Sequence, residues 1–291
     1  MYERILFPVD ETTESSAILH HASEIAHWSD GMVQLLYVAN TARDSVTLVD
    51  NEVVDALERQ GENTVAEAGK ILDTLGVEYG TDVVQGNPAP TIAEYAQKYS
   101  YDLVVMPTHA RHGITRRLLG SVTEKVVRLS EVPVLTARMV DDDELSFPYD
   151  EILVPTDGSQ SAKPAAKHGL DLAAALDATV HVLSVVDDSS LGPDVRSMMS
   201  GDEYEQAATD AIESVASDAR GLGVSNVVEH VEHGDPSDQI LTFVEEHDVD
   251  AVVMGTTGRS GVDRILLGSV AEKTVRNAPV PVITVAPDDD Q

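Results

Sequence analysis

Apolar positions along the chain alternate between two periods. Ile5 to Val9, Val33 to Val38, Leu103 to Met106 and Val134 to Ala137 are aliphatic and β-branched runs too short for helices, and they read as buried strands. Between them the spacing changes to three and four residues. Ala17, Leu19, Ala22, Ile25 and Ala26 mark one helix, and Val54, Leu57, Val65, Ala68, Ile71, Leu72 and Leu75 mark a longer one, from about Asn51 to Leu75. A third strand is expected near Asp82 to Val84, a helix at Pro90 to Tyr99, and another from about Ser121 to Leu129. Strands separated by helices require right-handed crossovers, hence an α/β fold with a parallel five-stranded sheet covered on both faces.

The pattern then starts again. Ile5-Leu6-Phe7-Pro8-Val9-Asp10 returns as Ile152-Leu153-Val154-Pro155-Thr156-Asp157, and Leu36-Tyr37-Val38 returns as Leu183-Ser184-Val185. After one extra residue in the second half, Gly86-Asn87-Pro88 pairs with Gly234-Asp235-Pro236 and Gly120-Ser121-Val122 with Gly268-Ser269-Val270. A repeat this long means two copies of one domain, not a solenoid. The expected division is a first domain at 1–139, an acidic linker at 140–148 around Asp141-Asp142-Asp143-Glu144 and Pro148, a second domain at 149–287, and an acidic tail at 288–291. The last strands, Val134 to Ala137 and Val282 to Val285, offer edges through which the copies would pair as an intramolecular pseudo-dimer.

Charge narrows the function. The 291 residues carry 51 acidic against 19 basic side chains, a formal net charge of −32, which argues against nucleic acid and acidic membranes as partners. The acid is spread along segments otherwise rich in Val, Ile, Leu and Ala, and arginine outnumbers lysine. Such a composition looks like that of a halophile's protein, whose carboxylates keep the surface hydrated in concentrated salt. Cysteine is absent, which excludes disulfides, thiolate metal sites and thiol catalysis. Met1-Tyr2-Glu3-Arg4-Ile5 leads directly into a strand, and no apolar run reaches the roughly 18 residues of a membrane span, so a cytoplasmic location is expected.

The candidate chemistry lies near the far end. The strand Ala251-Val252-Val253-Met254 runs into Gly255-Thr256-Thr257-Gly258-Arg259-Ser260-Gly261, and with nine residues between, Gly258 is followed by Gly268-Ser269-Val270. Gly255 and Gly258 are expected to take φ > 0 and bring bare amides close to a phosphate, while Gly268-Ser269 opens a helix whose first N–H groups serve the same anion. This string, directly after a strand, resembles the nucleotide-binding signature of the universal stress protein family.

The resemblance covers nearly the whole chain outside the linker and the extreme C-terminus. It implies two tandem flavodoxin-like or Rossmann-like domains, with the ligand site where strands one and four flank the reversal of strand order. Through it, Pro155, Thr156, Asp157 and Val185 become the adenine and ribose side. Met254, Gly255, Gly258, Gly268, Ser269 and Val270 become the ribose and phosphate side, with Arg259 as a phosphate partner or a solvated loop arginine. ATP or a related adenine nucleotide is the implied ligand. Beside a triphosphate Asp157 would be repulsive unless Mg²⁺ or Mn²⁺ intervened; the alternative for Asp157 is a helix N-cap with Gly158-Ser159 as a turn, and N-capping also accounts for Ser269.

The first copy departs from the signature. Pro107 and Ala110 stand where Gly255 and Gly258 stand in the second copy, so one loses a backbone donor and the other brings a methyl group to the phosphate. Asp10, Val38, His109, Gly120 and Ser121 remain as a degenerate site. His109 and His112 at three-residue spacing fix no metal geometry. The implied role is a nucleotide-responsive protein of the stress response or another regulatory system. The alternatives are a slow ATPase or phosphotransferase built on Asp10 and Asp157, and an interaction scaffold without nucleotide. Against the enzyme, Thr12 and Ser159 stand where haloacid-dehalogenase-type chemistry uses a second aspartate, and no Walker Gly-Lys-Ser/Thr ending is present.

Overall fold

In a computed structural model of the chain, residues 1–10, 16–40, 52–108, 119–138, 145–187, 201–257 and 267–287 are described. Two compact units result, Met1–Phe147 and Pro148–Gln291. Unit one runs β1 (Arg4–Val9), α1 (Ser16–Ser29), β2 (Met32–Ala39), α2 (Glu52–Leu75), β3 (Tyr79–Gln85), α3 (Pro88–Lys98), β4 (Leu103–Pro107), α4 (Ser121–Leu129) and β5 (Val134–Ala137). Unit two repeats it with β6 (Glu151–Pro155), α5 (Lys163–Leu176), β7 (Thr179–Val186), α6 (Gly201–Leu222), β8 (Asn226–His233), α7 (Pro236–Glu246), β9 (Ala251–Gly255), α8 (Ser269–Asn277) and β10 (Val282–Val285).

Within each unit the strands are parallel, in the order β3-β2-β1-β4-β5 and its counterpart β8-β7-β6-β9-β10. Of the doubly wound orders this is the Rossmann type, because β3 pairs with β2 and not with β1. The order reverses between β1 and β4, and between β6 and β9, which is where the resemblance puts a ligand site. The helices α1 and α2 pack together, as do α3 and α4, with the same pairing of α5 with α6 and of α7 with α8. The central strands are apolar because both of their faces are covered: Ile5, Leu6, Phe7, Leu103, Val104 and Val105 have no solvent exposure, nor do Ile152, Leu153, Val154, Ala251, Val252 and Val253.

Three expectations shift. The third strand is longer than Asp82 to Val84, spanning Tyr79–Gln85, because its pairing from Val33↔Tyr79 to Ala39↔Gln85 and not its apolar content sets its length. The helix expected from Pro90 begins at Pro88, since a first-turn proline has no N–H to leave unsatisfied. Ala17 faces outward on α1, and the fully buried Ile18 takes its place. No helix among the described residues is long and apolar enough to cross a membrane.

Candidate functional site

In unit two Pro155, Thr156 and Asp157 stand at the carboxyl end of β6, and Met254 and Gly255 at that of β9. β6 ends in Pro155, and the buried Thr156 continues its ladder by donating its N–H to Leu183 O of β7 at 2.8 Å. The chain then turns sharply. Gly158 takes φ +74°, its N–H donates to Thr156 Oγ1 at 3.1 Å, and Ser159 N–H donates to Asp157 Oδ1 at 3.0 Å. Asp157 therefore closes an Asx turn. It is not the N-cap of α5: the turn continues through Ala162 N–H donating to Ser159 O at 3.2 Å, and Ala162 is the cap residue, without a side-chain bond.

Across the reversal point, Gly255 is the last residue of β9, with the buried Met254 before it. The expectation of φ > 0 at Gly255 is corrected, because it is absent from the positive-φ glycines and continues the strand opposite Val285. Close approach is what the glycine eases: a Cβ there would stand 3.2 Å from Ser161 O, tighter than ordinary contact, and 3.7 Å from Ala162 Cα. The bare backbone of Gly255 thus brings β9 against the loop that opens α5. Beyond it Thr256 N–H donates to Val285 O at 3.2 Å, and Thr256 O accepts from Gly268 N–H at 2.8 Å.

That last bond sets the start of α8 beside the end of β9. Gly268 is the N-cap, at φ −62° and ψ 146°, and has no side chain to fold over the helix start. Ser269 is exposed and Val270 half-buried in the first turn, where backbone N–H groups have no intrahelical acceptor. The positive end of the helix dipole points the same way. Val185, half-buried, lies near the end of β7, on the other side of β6. Gly258 and Arg259 lie outside the described residues.

A cavity of about 330 Å³ adjoins this loop on its α6 side, lined among others by Thr156, Gly158, Ser159, Lys163, Asp210 and Asp218. The α6 wall was not picked out from the sequence. Its signal is the small residues Ala207, Ala211 and Ser214 at helical spacing, which leave room where larger side chains would fill the gap between α5 and α6.

Unit one keeps the frame without the glycine. Gly120 N–H donates to Thr108 O at 2.7 Å and caps α4, as Gly268 does α8, and Ser121 is exposed. Pro107 ends β4 opposite Ala137, and its carbonyl accepts from Thr123 Oγ1 at 2.8 Å. A proline fits this position because the backbone there is extended in both units, but it has no N–H to offer. Asp10 is exposed and Val38 half-buried. His109, with Ala110 and His112, lies outside the described residues.

A profile of the universal stress protein family matches residues 1–138 and 148–286. A universal stress protein of Methanocaldococcus jannaschii is 39% identical over 140 residues, which is 47% of this chain and 82% of that one. One from Mycolicibacterium smegmatis is 26% identical over 295 residues, 97% of each chain. Among solved structures, a universal stress protein from Archaeoglobus fulgidus is similar with a TM-score of 0.72 at 23% identity, covering 99% of this chain and 100% of that one, a likeness of fold.

Proposed function

The chain belongs to the universal stress protein family, in its tandem form, and from that membership we propose that its second unit binds ATP or a related adenine nucleotide and acts as a nucleotide-responsive stress or regulatory protein. The observation that carries this reading is the bond from Gly268 N–H to Thr256 O, which sets a helix start without a side-chain cap beside the end of β9, where Gly255 stands in place of unit one's Pro107, at the reversal of strand order. The phosphates would lie against the amides of Ser269 and Val270, with Gly255, Gly258 and Arg259 completing the loop. Pro155, Thr156, Asp157 and Val185 would face the adenosine. The residues fit an anion: the cap has no side chain, and Asp157 turns one carboxylate oxygen to its own loop at Ser159 N–H. Unit one, with Pro107 in place of Gly255, serves as the companion domain.

Calorimetric titration with ATP, AMP and cyclic AMP in concentrated KCl tests the reading. One nucleotide bound per chain, with affinity reduced at least about tenfold by Gly258→Val, is the expected result. Two equivalent sites would overturn the asymmetry between the units, and no binding at all would select the interaction scaffold. Metal-dependent phosphate release abolished by Asp157→Asn would select the phosphotransfer enzyme.

A further inference from the structure

On the face of unit two's sheet that α7 covers, three imidazoles gather away from the nucleotide loop. His181 of β7 is 9% exposed. Its Nε2 lies 2.7 Å from Glu151 Oε2 of β6, and its Nδ1 lies 3.1 Å from His230 Nε2 of β8. His247, which ends α7, has its ring centroid 5.6 Å from that of His230 and 6.1 Å from that of His181. It stacks on Phe243 at 3.8 Å with 6° between the planes, and its Nδ1 lies 3.2 Å from Phe243 O. Phe243, itself buried, also meets the rings of His230 and His181 at 4.6 and 5.5 Å.

The partners fix where the hydrogens sit. A carboxylate only accepts, so His181 Nε2 carries a hydrogen and, in the neutral ring, Nδ1 is a lone pair. The 3.1 Å contact then requires His230 Nε2–H to donate. One proton is accommodated: His181 becomes an imidazolium between Glu151 and His230 and donates from Nδ1, once His230 has moved its own hydrogen to Nδ1. A second is not. With both rings cationic, two N–H groups oppose each other along that contact, and a protonated His247 adds a third charge.

Among the described charged groups beside the cluster, Asp250 accepts from Glu151 N–H through Oδ2 at 2.9 Å. Glu232 lies two residues along the same face of β8 as His230, whereas Glu229 points to the other face, where it meets Arg220 of α6 at 3.5 Å. Glu245, Glu246 and Asp248 are exposed and flank His247 in the chain. Burial first, then the charges of His181 and His247, hold the His230 imidazole below the usual histidine range.

Unit one is built differently at the same places. Arg4, Gln34, Asp82, Tyr95 and Tyr99 stand where unit two has Glu151, His181, His230, Phe243 and His247, and the strand register agrees, with Leu36↔Asp82 matching Leu183↔His230. There Tyr95 donates its hydroxyl to Asp82 Oδ2 at 2.9 Å, and the Arg4 guanidinium lies 4.8 Å over the Tyr101 ring. Its tyrosine and arginine keep their protonation through the histidine range.

We propose that Glu151, His181, His230 and His247 form a proton-operated latch, which holds strand β8 and the C-terminal end of α7 onto unit two's sheet at neutral pH and releases them when the cluster takes its second proton. A histidine with a lowered folded value favours the closed form fully above about pH 6.5, the unfolded value, and loses that contribution as the pH falls below it. Among the described residues no group of three or more His, Cys, Asp or Glu side chains is arranged to hold a metal ion, and the test is run with a chelator so that only protons act.

Hydrogen exchange of the full chain is followed by mass spectrometry from about pH 7.5 to about pH 5, across the histidine range, with rates corrected for intrinsic chemistry. Amides of β8 and of the last turn of α7 are expected to exchange about tenfold faster at the acid end, while β3 and the last turn of α3 stay unchanged. His247→Gln, at an exposed position, removes one like charge from the closed cluster and so reduces the acceleration at the acid end. Replacing His181 and His230 by the residues of unit one, His181→Gln with His230→Asp, abolishes it. Parallel acceleration of β3 and β8, or an acceleration that His247→Gln leaves undiminished, would overturn the latch.

Discussion

At Gly255 a carbonyl sets the size of the side chain. A Cβ would meet Ser161 O at 3.2 Å, and a β-branched residue would push further methyl groups toward the same loop. Gly255→Val is therefore expected to lower the stability of the chain by about 1–3 kcal/mol, read from the urea midpoint at constant slope. The same position in unit one carries proline, and the sequence singles out Gly255 for a positive φ. The reason differs, because the opposing group, Ser161, lies 94 positions earlier in the chain and no local pattern brings it near. The histidine cluster was invisible for the same cause: His181, His230 and His247 sit on three separate elements, and only strand register and the packing of α7 unite them. His168 of α5 yields a second expectation. Burial lowers it from 6.5 to about 4, so the neutral form belongs to the folded state. Its contribution is complete above the unfolded value and is lost as the pH falls from 6.5 toward about 4, amounting to roughly 3 kcal/mol at most. His168→Gln should flatten the pH dependence of the urea midpoint over that window, and an unchanged profile would refute the assignment.

The two copies of one helix start show what a single side-chain difference does to an element. Asp235 caps α7: its Oδ1 accepts from Ser237 N at 3.0 Å, from Asp238 N at 3.2 Å and from the Ser237 hydroxyl, and Lys273 Nζ of α8 lies 3.4 Å from Oδ2. Asn87 holds the equivalent place before α3 and makes no side-chain cap bond. Asp235→Ala is thus expected to cost about 1–2 kcal/mol, and Asn87→Ala less than about 0.5 kcal/mol, in paired urea unfolding experiments. The hydrogen bond from Ser237 is the main cause that holds the Asp235 carboxyl below its ordinary value, so the cap contributes fully at neutral pH and fails as the pH falls through the carboxylate range. Elements of this kind were legible beforehand where the signal was local. Apolar runs located β1, β4, β5 and β10 closely, because a strand buried on both faces must be continuously apolar. β3 was read too short because it is half-exposed along most of its length and carries Gly80, Thr81 and Asp82, so its extent is written in its partner's backbone.

For the molecule as a whole the governing quantity is charge. Acidic side chains exceed basic ones by 32, so the carboxylates outnumber the cations that could neutralise them, whatever their arrangement. The ion pairs among the described residues do little to offset this: Lys167–Asp171 at 2.6 Å, Arg276–Glu272 at 2.5 Å and Lys273–Asp235 at 3.4 Å are exposed or half-exposed contacts of the weak kind. Unfolding spreads the charges apart, so self-repulsion favours the unfolded chain, and salt weakens that preference as the screening length falls from about 10 Å at 0.1 M to about 3 Å at 1 M. The thermal midpoint is therefore expected to climb by several degrees as KCl rises from about 0.1 M to about 1 M at neutral pH. Salt also acts by exclusion from the protein surface, independently of carboxylate charge, and pH separates the two effects. Near pH 4 many of the carboxylates are protonated and the repulsion shrinks, so screening predicts a shallower rise of the midpoint with KCl there than at neutral pH. Equal slopes at the two pH values would assign the salt effect to surface exclusion and remove the case for an acid-rich surface adapted to salt.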